Sequence, residues 1–186
     1  MQLHGSYTSP FVRHCRIALL ETGTDFTFEE TDHQASATGS PAQRVPYIMD
    51  GNVRLHDSAS ILKYVRERAG QAWMPDVQQY DLFCLANTAL DSTVNVFLLE
   101  NSGVKPDETP YLQRQINRIG TTLEALEQWA DVSPLQWNDG SIRLACFIAW
   151  AQYRNRVDFN PYPALQAWLR EAEQHQEFLE TAPPTQ

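Results

Sequence analysis

The chain has 186 residues, of which 42% are hydrophobic and 20% are charged, and its formal net charge is −9 at pH 7. This mixture excludes an intrinsically disordered chain, and the length allows one ordinary domain or two small ones. The acidic balance disfavours phosphate backbones and anionic lipid surfaces, so we expect neither nucleic acid nor a membrane as a partner.

The composition also predicts a compartment. Residues 1–5 carry no basic stretch and no long apolar run, which argues against a signal peptide, and no segment approaches roughly 18 uninterrupted apolar residues. Cys15, Cys84 and Cys146 are widely spaced and form no C-x-x-C pattern, which fits a reducing compartment. The five histidines show no ligand spacing. We therefore expect a cytoplasmic protein without a metal site.

The first third of the chain mixes short strand patterns with helical ones. Strands are predicted at residues 2–6, 25–30, 46–49 and 53–55, the last two joined by a turn at 50–52. Helices are predicted at 10–21, which stops before Gly23, and at 57–68. A polar stretch separates the second strand from the third.

Beyond a linker the chain contains only helical patterns. Apolar residues recur at helical spacing at Phe83, Ala86, Leu90, Val94, Phe97 and Leu98, and again at Ile116, Ile119, Leu123 and Leu126. Residues 142–153 are so apolar that they predict a buried central helix. A last helix is predicted at 163–174, with Pro163 in its first turn.

Three short polar motifs fall where predicted strands end or helices begin, and Ser9-Pro10 is the first. The ordinary interpretation is a helix N-cap with proline in the first turn. The same geometry places a hydroxyl beside exposed N–H groups and the positive end of the helix dipole, which suits an anion such as a thiolate. The residues by themselves leave both interpretations open.

The other two motifs flank the predicted hairpin. Val45-Pro46 precedes it; extended geometry before proline is ordinary, but a cis Pro46 would turn the backbone N–H and C=O of Val45 outward as a docking edge. Asp57-Ser58 follows it, and capping of the next helix is the commoner explanation of such a pair. Alternatively, Asp57 would bind the ammonium group of an α-amino acid, and Ser58 with the helix N–H groups its carboxylate.

Together, the order and spacing of these motifs resemble the glutathione transferase family over essentially the whole chain. The resemblance is carried by residues 7–23 (YTSPFVRHCRIALLETG), 44–48 (RVPYI), 55–62 (LHDSASIL) and 163–168 (PALQAW). It implies an α/β thioredoxin-like N-terminal domain (β-α-β-α-β-β-α) at 1–70, a linker at 71–77 and an all-α C-terminal helical domain at 78–186. It also implies a two-fold homodimer and an electrophilic second substrate between the domains.

The resemblance assigns roles to individual residues. Ser9 takes the position of the catalytic group that stabilises the glutathione thiolate. Val45, next to a cis Pro46, takes the position of the backbone clamp on the cysteinyl part of glutathione. Asp57 and Ser58 take the positions that bind the γ-glutamyl end.

Two further residues, which lie outside the three polar motifs, are also assigned to the glutathione site. Arg44 falls where many relatives have a basic residue near the glycyl carboxylate, and Phe11 follows Ser9 closely enough to touch an apolar substrate. Asp57 departs from the family pattern, in which glutamate is commoner. Because a serine cannot form a mixed disulfide, Ser9 disfavours chemistry of the glutaredoxin kind.

Other expectations concern packing. Cys15 is expected to be a buried small hydrophobe, whereas Arg13 and His14 are expected on a solvated helix face. Relatives start their central helix with a capping box, but here Ser141 is followed three residues later by Leu144. The box is therefore expected to be missing, at a cost of about 0.5–2 kcal/mol.

The sequence thus favours an enzyme that binds glutathione as a co-substrate and transfers it to an electrophilic small molecule. A second hypothesis is a non-catalytic protein of the same fold with a binding or regulatory role, because fold does not fix function. A third is glutathione-dependent reduction of peroxides or ring compounds.

Overall fold

The computed structural model describes residues 1–105, 109–132 and 134–185 of the chain. These residues form two compact units: Met1–Pro75 together with the segment that begins at Glu173, and Asp76–Ala172. The C-terminal tail thus packs with the first unit, whereas the predicted domain limits place it in the helical domain. The limits 1–70, 71–77 and 78–186 stay a prediction.

A four-stranded mixed sheet forms the centre of the first unit. Its strands are β1 (Gln2–Gly5), β2 (Thr27–Glu30), β3 (Tyr47–Asp50) and β4 (Val53–Leu55), in the spatial order β2-β1-β3-β4. β1 pairs parallel with β2 and antiparallel with β3, and β3 pairs antiparallel with β4. β4 therefore runs in the same direction as β1, and both end at the edge where β3 begins.

Three helices connect or follow these strands: α1 (Pro10–Glu21), α2 (His33–Gly39) and α3 (Ser58–Arg68). The order β-α-β-α-β-β-α confirms the predicted thioredoxin-like fold. α1 packs on α3, and Cys15 of α1 is fully buried as predicted, with its thiol 3.9 Å from the Ser58 carbonyl oxygen.

The described residues of the second unit form helices and their connections and contain no strand, as predicted. It contains α4 (Val77–Asn101), α5 (Pro110–Val132), α6 (Asp139–Tyr153) and α7 (Pro163–Ala172). α6 is the central helix, because nearly all of its residues are buried, and it packs on α4 and α7. Among the described residues, α4 is the one helix long and apolar enough to cross a membrane by length and composition. A core helix meets the same criterion, so this property is weak evidence of a membrane span.

The start of α6 corrects one expectation. The helix begins at Asp139 rather than Ile142, and its N-cap is Asn138, whose side chain accepts hydrogen bonds from the N–H groups of Gly140 (3.0 Å) and Ser141 (3.2 Å). The Ser141 hydroxyl in turn accepts from the Asn138 N–H at 3.1 Å. A capping box is therefore present, built from Asn138 and Ser141, and the predicted loss at Leu144 was wrong because the helix starts one turn earlier.

This cap gives a stability prediction. Replacing Asn138 by alanine leaves two N–H groups of the first turn without their acceptor, so we expect a loss of about 0.5–2 kcal/mol in the free energy of unfolding. For a chain of this size that corresponds to a fall of roughly 1–8 °C in melting temperature. Asn95→Ala, on the exposed face of α4, is the matched control and should not destabilise. Equal melting temperatures for the two variants would contradict the assigned cap.

The tail adds a short helix, α8 (Gln176–Glu180), that packs on α1. Phe178 and Thr181 of this segment contact Arg13, which is 6% exposed, and His14 is fully buried. The expectation of a solvated helix face at Arg13 and His14 was therefore wrong. Arg13 is covered by a segment about 165 residues away in the sequence, which no local pattern reveals.

Candidate functional site

The three polar motifs meet at one edge of the sheet. Ser9 follows the end of β1, Val45-Pro46 precedes the start of β3, and Asp57 follows the end of β4. Because β1 and β4 run parallel to each other and antiparallel to β3, all three positions lie at the same edge. Neighbouring strands are about 4.8 Å apart, so the ends of β1 and β4, which Ser9 and Asp57 follow, are separated by roughly 10 Å across the sheet.

Ser9 is the N-cap of α1. Its backbone is extended, Pro10 occupies the first helical position, and the Ser9 hydroxyl accepts a hydrogen bond from the Val12 N–H at 3.4 Å. The start of α1 lies close to the end of β1, since a Cβ added to Gly5 would come within 2.5 Å of Val12 Cγ1. Only glycine permits this approach, which places the Ser9 hydroxyl and the first turn of α1 near the sheet edge.

Asp57 is the N-cap of α3. One carboxylate oxygen accepts from the Ala59 N–H at 2.8 Å, and the other lies 3.2 Å from a guanidinium nitrogen of Arg44. The side chains of Asp57 and Arg44 are more than half exposed, so this ion pair contributes about 1 kcal/mol or less. Ser58, the first residue of α3, is buried. The capping interpretation of Asp57 therefore holds, and its carboxylate keeps lone pairs for a further partner.

The peptide bond between Val45 and Pro46 is cis, as the sequence analysis anticipated. The preceding loop carries Arg44, whose contact with Asp57 places its guanidinium beside the N-terminus of α3. This is the end predicted for the γ-glutamyl group, whereas the family pattern assigns Arg44 to the glycyl carboxylate. Phe11 lies in the first turn of α1 and is partly exposed.

Sequence reasoning missed a second set of residues beside this edge. His56 precedes Asp57 directly, and its Nδ1 lies 3.1 Å from the hydroxyl oxygen of Ser40, which ends α2. Tyr47, the first residue of β3, lies between the rings of His4 (centroids 4.4 Å apart, stacked) and His56 (6.3 Å). The only sequence signal was the position of His56 next to Asp57.

Two further observations concern metal-binding groups and a groove elsewhere in the first unit. Among the residues that the structure describes, no group of three or more His, Cys, Asp and Glu side chains is arranged to hold a metal ion. An open polar groove of about 450 Å³ is lined by Met1, Thr22, Thr24, Asp25, Arg68 and Ala69. It lies where β1 begins and where α1 and α3 end, so none of the three motifs contributes to it.

The fold and this edge define a class: thioredoxin-like proteins with an appended helical unit and a cis-proline beside two capped helix starts. Residues 3–73 match the family model described as "Glutathione S-transferase, N-terminal domain". The first unit therefore matches the N-terminal domain of the glutathione S-transferase family, which confirms the resemblance of its motifs.

Individual relatives agree with this assignment. The chain is 27% identical over 168 residues to the uncharacterised GST-like protein YibF of Escherichia coli K12, covering 83% of each. It is 25% identical over 179 residues to a glutathione S-transferase of Triticum aestivum, covering 88% of this chain and 84% of the relative. A glutathione S-transferase of Methylobacillus flagellatus KT, solved with glutathione bound, has the same fold, with a TM-score of 0.85, 20% identity and coverage of 98% and 99% of the two chains.

Proposed function

We propose that this protein binds glutathione at the sheet edge described above, stabilises its thiolate and transfers it to an electrophilic small molecule. The observation that carries the proposal is the meeting of Ser9, Val45-Pro46 and Asp57 at one edge, from three segments far apart in the sequence. We further propose that the protein acts in the cytoplasm as a homodimer, without a metal.

The dimensions of the edge support a tripeptide ligand. The ends of β1 and β4, which precede Ser9 and Asp57, are about 10 Å apart across two strand spacings, and three extended residues span roughly 10 Å. The Asp57 carboxylate is exposed and anionic, which suits the ammonium of the γ-glutamyl end. Ser58 and the N-terminal N–H groups of α3 would receive the carboxylate of the same end. Val45 lies between them and would pair with the backbone of the cysteinyl residue.

Ser9 would then act on the sulfur. A hydroxyl at the start of α1 donates a hydrogen bond to the thiolate, while the helix dipole favours the negative charge. A hydrogen bond to a charged group is worth about 1.5–3 kcal/mol, or roughly one to two pKa units. Lower nucleophilicity at lower pKa removes most of the gain in thiolate population. Orientation of the sulfur toward the second substrate has to provide the rest of the acceleration.

Arg44 and Phe11 would complete the site. The Arg44 pair with Asp57 is exposed and weak, so the guanidinium is free to turn toward a carboxylate of the tripeptide, which the family pattern identifies as the glycyl one. Phe11 would offer an apolar contact beside the sulfur. The electrophile itself is not specified by these residues.

One observation favours a second candidate, a non-catalytic binding or regulatory protein. Ser9 and Asp57 each already perform a structural task as N-caps of α1 and α3. A chain that had lost catalysis would retain both residues for that reason alone. Glutathione-dependent reduction of peroxides or ring compounds has no such supporting contact.

Binding is tested by calorimetry and thermal unfolding with glutathione at millimolar concentration. We expect saturable heat and a rise in melting temperature that grows with ligand concentration. Asp57→Asn keeps a capping side chain but removes the charge that faces the ammonium, so it should weaken binding roughly tenfold or more. No heat and no rise in melting temperature for the unmodified protein would refute the proposal.

Turnover separates the two candidates. An enzyme that is retained on immobilised glutathione should also conjugate a reactive aryl halide. Retention without turnover across a panel of electrophiles would favour the binding or regulatory protein.

A further inference from the structure

The loop between α2 and β3 carries Arg44 and Val45, yet it forms no strand or helix of its own. Ser40 organises its first turn: the Ser40 carbonyl accepts from the Gln43 N–H at 2.9 Å, and its hydroxyl accepts from the Ala42 N–H at 3.2 Å. Gln43 has a φ of 52°, in the region that non-glycine residues seldom adopt. The loop conformation that presents Val45 therefore depends on bonds that fix its first turn.

A second bond ties this turn to the other side of the site. The Ser40 hydroxyl lies 3.1 Å from His56 Nδ1, and His56 is covalently joined to Asp57, the cap of α3. Ser40 is 2% exposed, so water competes little for this bond. By contrast, the ion pair between Arg44 and Asp57, which also connects the loop to the start of α3, is exposed on both sides and would be exchanged when a ligand binds Asp57.

The His56 ring is supported by packing. Tyr47 is 4% exposed and lies between His56 and His4. A Cβ on Gly39 would come within 2.1 Å of the Tyr47 hydroxyl, so the end of α2 lies directly against this tyrosine. Tyr47 thus contacts both the segment that carries Ser40 and the ring of His56, which brings the two bonding partners together.

We propose that His56 is a positioning residue: its hydrogen bond to Ser40 holds the 40–45 loop in register with the start of α3, so that Val45 and Asp57 engage one ligand together. This inference rests on glutathione binding at the sheet edge, and it adds a residue that does not touch the ligand. Without the hydrogen bond between His56 and Ser40, the 40–45 loop samples other conformations. The apparent dissociation constant for glutathione then rises, because a smaller fraction of the protein has the loop conformation that binds it.

The test combines three variants with two measurements. His56→Phe keeps a ring against Tyr47 but removes Nδ1, Ser40→Ala removes the partner hydroxyl, and His56→Asn restores a polar group close to the Nδ1 position. We expect His56→Phe and Ser40→Ala to raise the dissociation constant for glutathione by about five- to tenfold. His56→Asn should restore most of the affinity. Ser40→Ala also removes the acceptor of the Ala42 N–H, so the double variant Ser40→Ala/His56→Phe should bind no more weakly than Ser40→Ala, in which the bond to His56 is already absent.

Turnover distinguishes positioning from general damage. With an aryl halide at saturating glutathione, kcat should change by less than about twofold in His56→Phe while KM for glutathione rises with the dissociation constant. His33→Phe, an exposed histidine on α2, is the matched control and should leave both unchanged. Additive losses in the double variant, or an equal loss in kcat, would overturn the proposal.

Hydrogen exchange separates this inference from the proposed function. In the absence of ligand, His56→Phe and Ser40→Ala should each speed exchange of the Ala42 and Gln43 amides, whereas His33→Phe should not. Unchanged exchange would overturn the positioning role even if the protein binds glutathione. If the unmodified protein fails to bind glutathione while the variants do speed exchange, the proposed function fails, and the positioning role toward that ligand is overturned with it.

Discussion

Replacing Ser9 by alanine should lower turnover with an aryl halide at least tenfold while leaving the fold intact. A free thiol has a pKa of about 8.5, so only a few per cent is ionised at neutral pH. A shift of two units would raise the thiolate population roughly twentyfold, but a Brønsted slope of about 0.4–0.5 leaves a net gain of only about two- to threefold. The remainder of the expected loss comes from poorer orientation of the sulfur.

Titration separates the contribution of thiolate ionisation to this loss from the contribution of sulfur orientation. Thiolate absorbance of the bound tripeptide should give a pKa roughly one to two units below 8.5 in the unmodified protein and a value near 8.5 in Ser9→Ala. The ionisation part of the loss should disappear above pH 9, where the thiol is ionised in both proteins, whereas the orientation part should persist. An unchanged rate at neutral pH would remove Ser9 from the mechanism.

The stability control for Ser9→Ala is a variant that removes the N-cap of a different helix. Ser9 accepts from Val12 N–H at 3.4 Å, so its removal also costs about 1 kcal/mol of capping. Asp76→Ala removes the cap of α4, which accepts from the Gln78 N–H at 2.8 Å, and should lower the melting temperature similarly. If Asp76→Ala lost activity to the same degree, the effect of Ser9→Ala would be attributable to stability.

Replacing Arg13 by methionine should give the largest loss of stability. Arg13 donates a 2.7 Å hydrogen bond to the Phe178 carbonyl, and its guanidinium lies 3.7 Å from the centre of the Phe178 ring. A buried charge-assisted bond and a cation–π contact of this kind are together worth about 2–4 kcal/mol. Methionine fills similar volume, so the expected loss reflects these two interactions and not a cavity.

The measurement is thermal unfolding with limited proteolysis of the tail. A loss of this size lowers the melting temperature by roughly 4–16 °C for a chain of this length, and the segment from Glu173 onward should be cleaved faster as α8 detaches. Arg114→Met on the exposed face of α5 is the matched control, since Arg114 lies at the surface. Equal melting temperatures and equal cleavage in the two variants would show that Arg13 does not anchor the tail.

The sequence by itself determined most of the local structure of the first unit; the exception is α2 (His33–Gly39), where the local pattern indicated only a polar stretch. α1 spans Pro10–Glu21 as predicted, because Ser9-Pro10 and Gly23 are strong start and stop signals whose effect depends on immediate neighbours. The hairpin of β3 and β4 followed from alternation and turn chemistry in the same way. Where a family pattern replaced local chemistry, at Ser141 and Leu144, the prediction was wrong, because the capping box is built from Asn138 and Ser141.

Only the tertiary structure decided which of these segments meet. The directions of β1, β3 and β4 bring Ser9, Val45 and Asp57 to one edge, and no local pattern reports strand direction. The burial of Arg13 under α8 depends on a contact across 165 residues of sequence, and the bond between Ser40 and His56 spans 16. Such contacts form only when collective burial of the core offsets the entropy of closing the intervening chain, which is a property of the whole fold and not of any one segment.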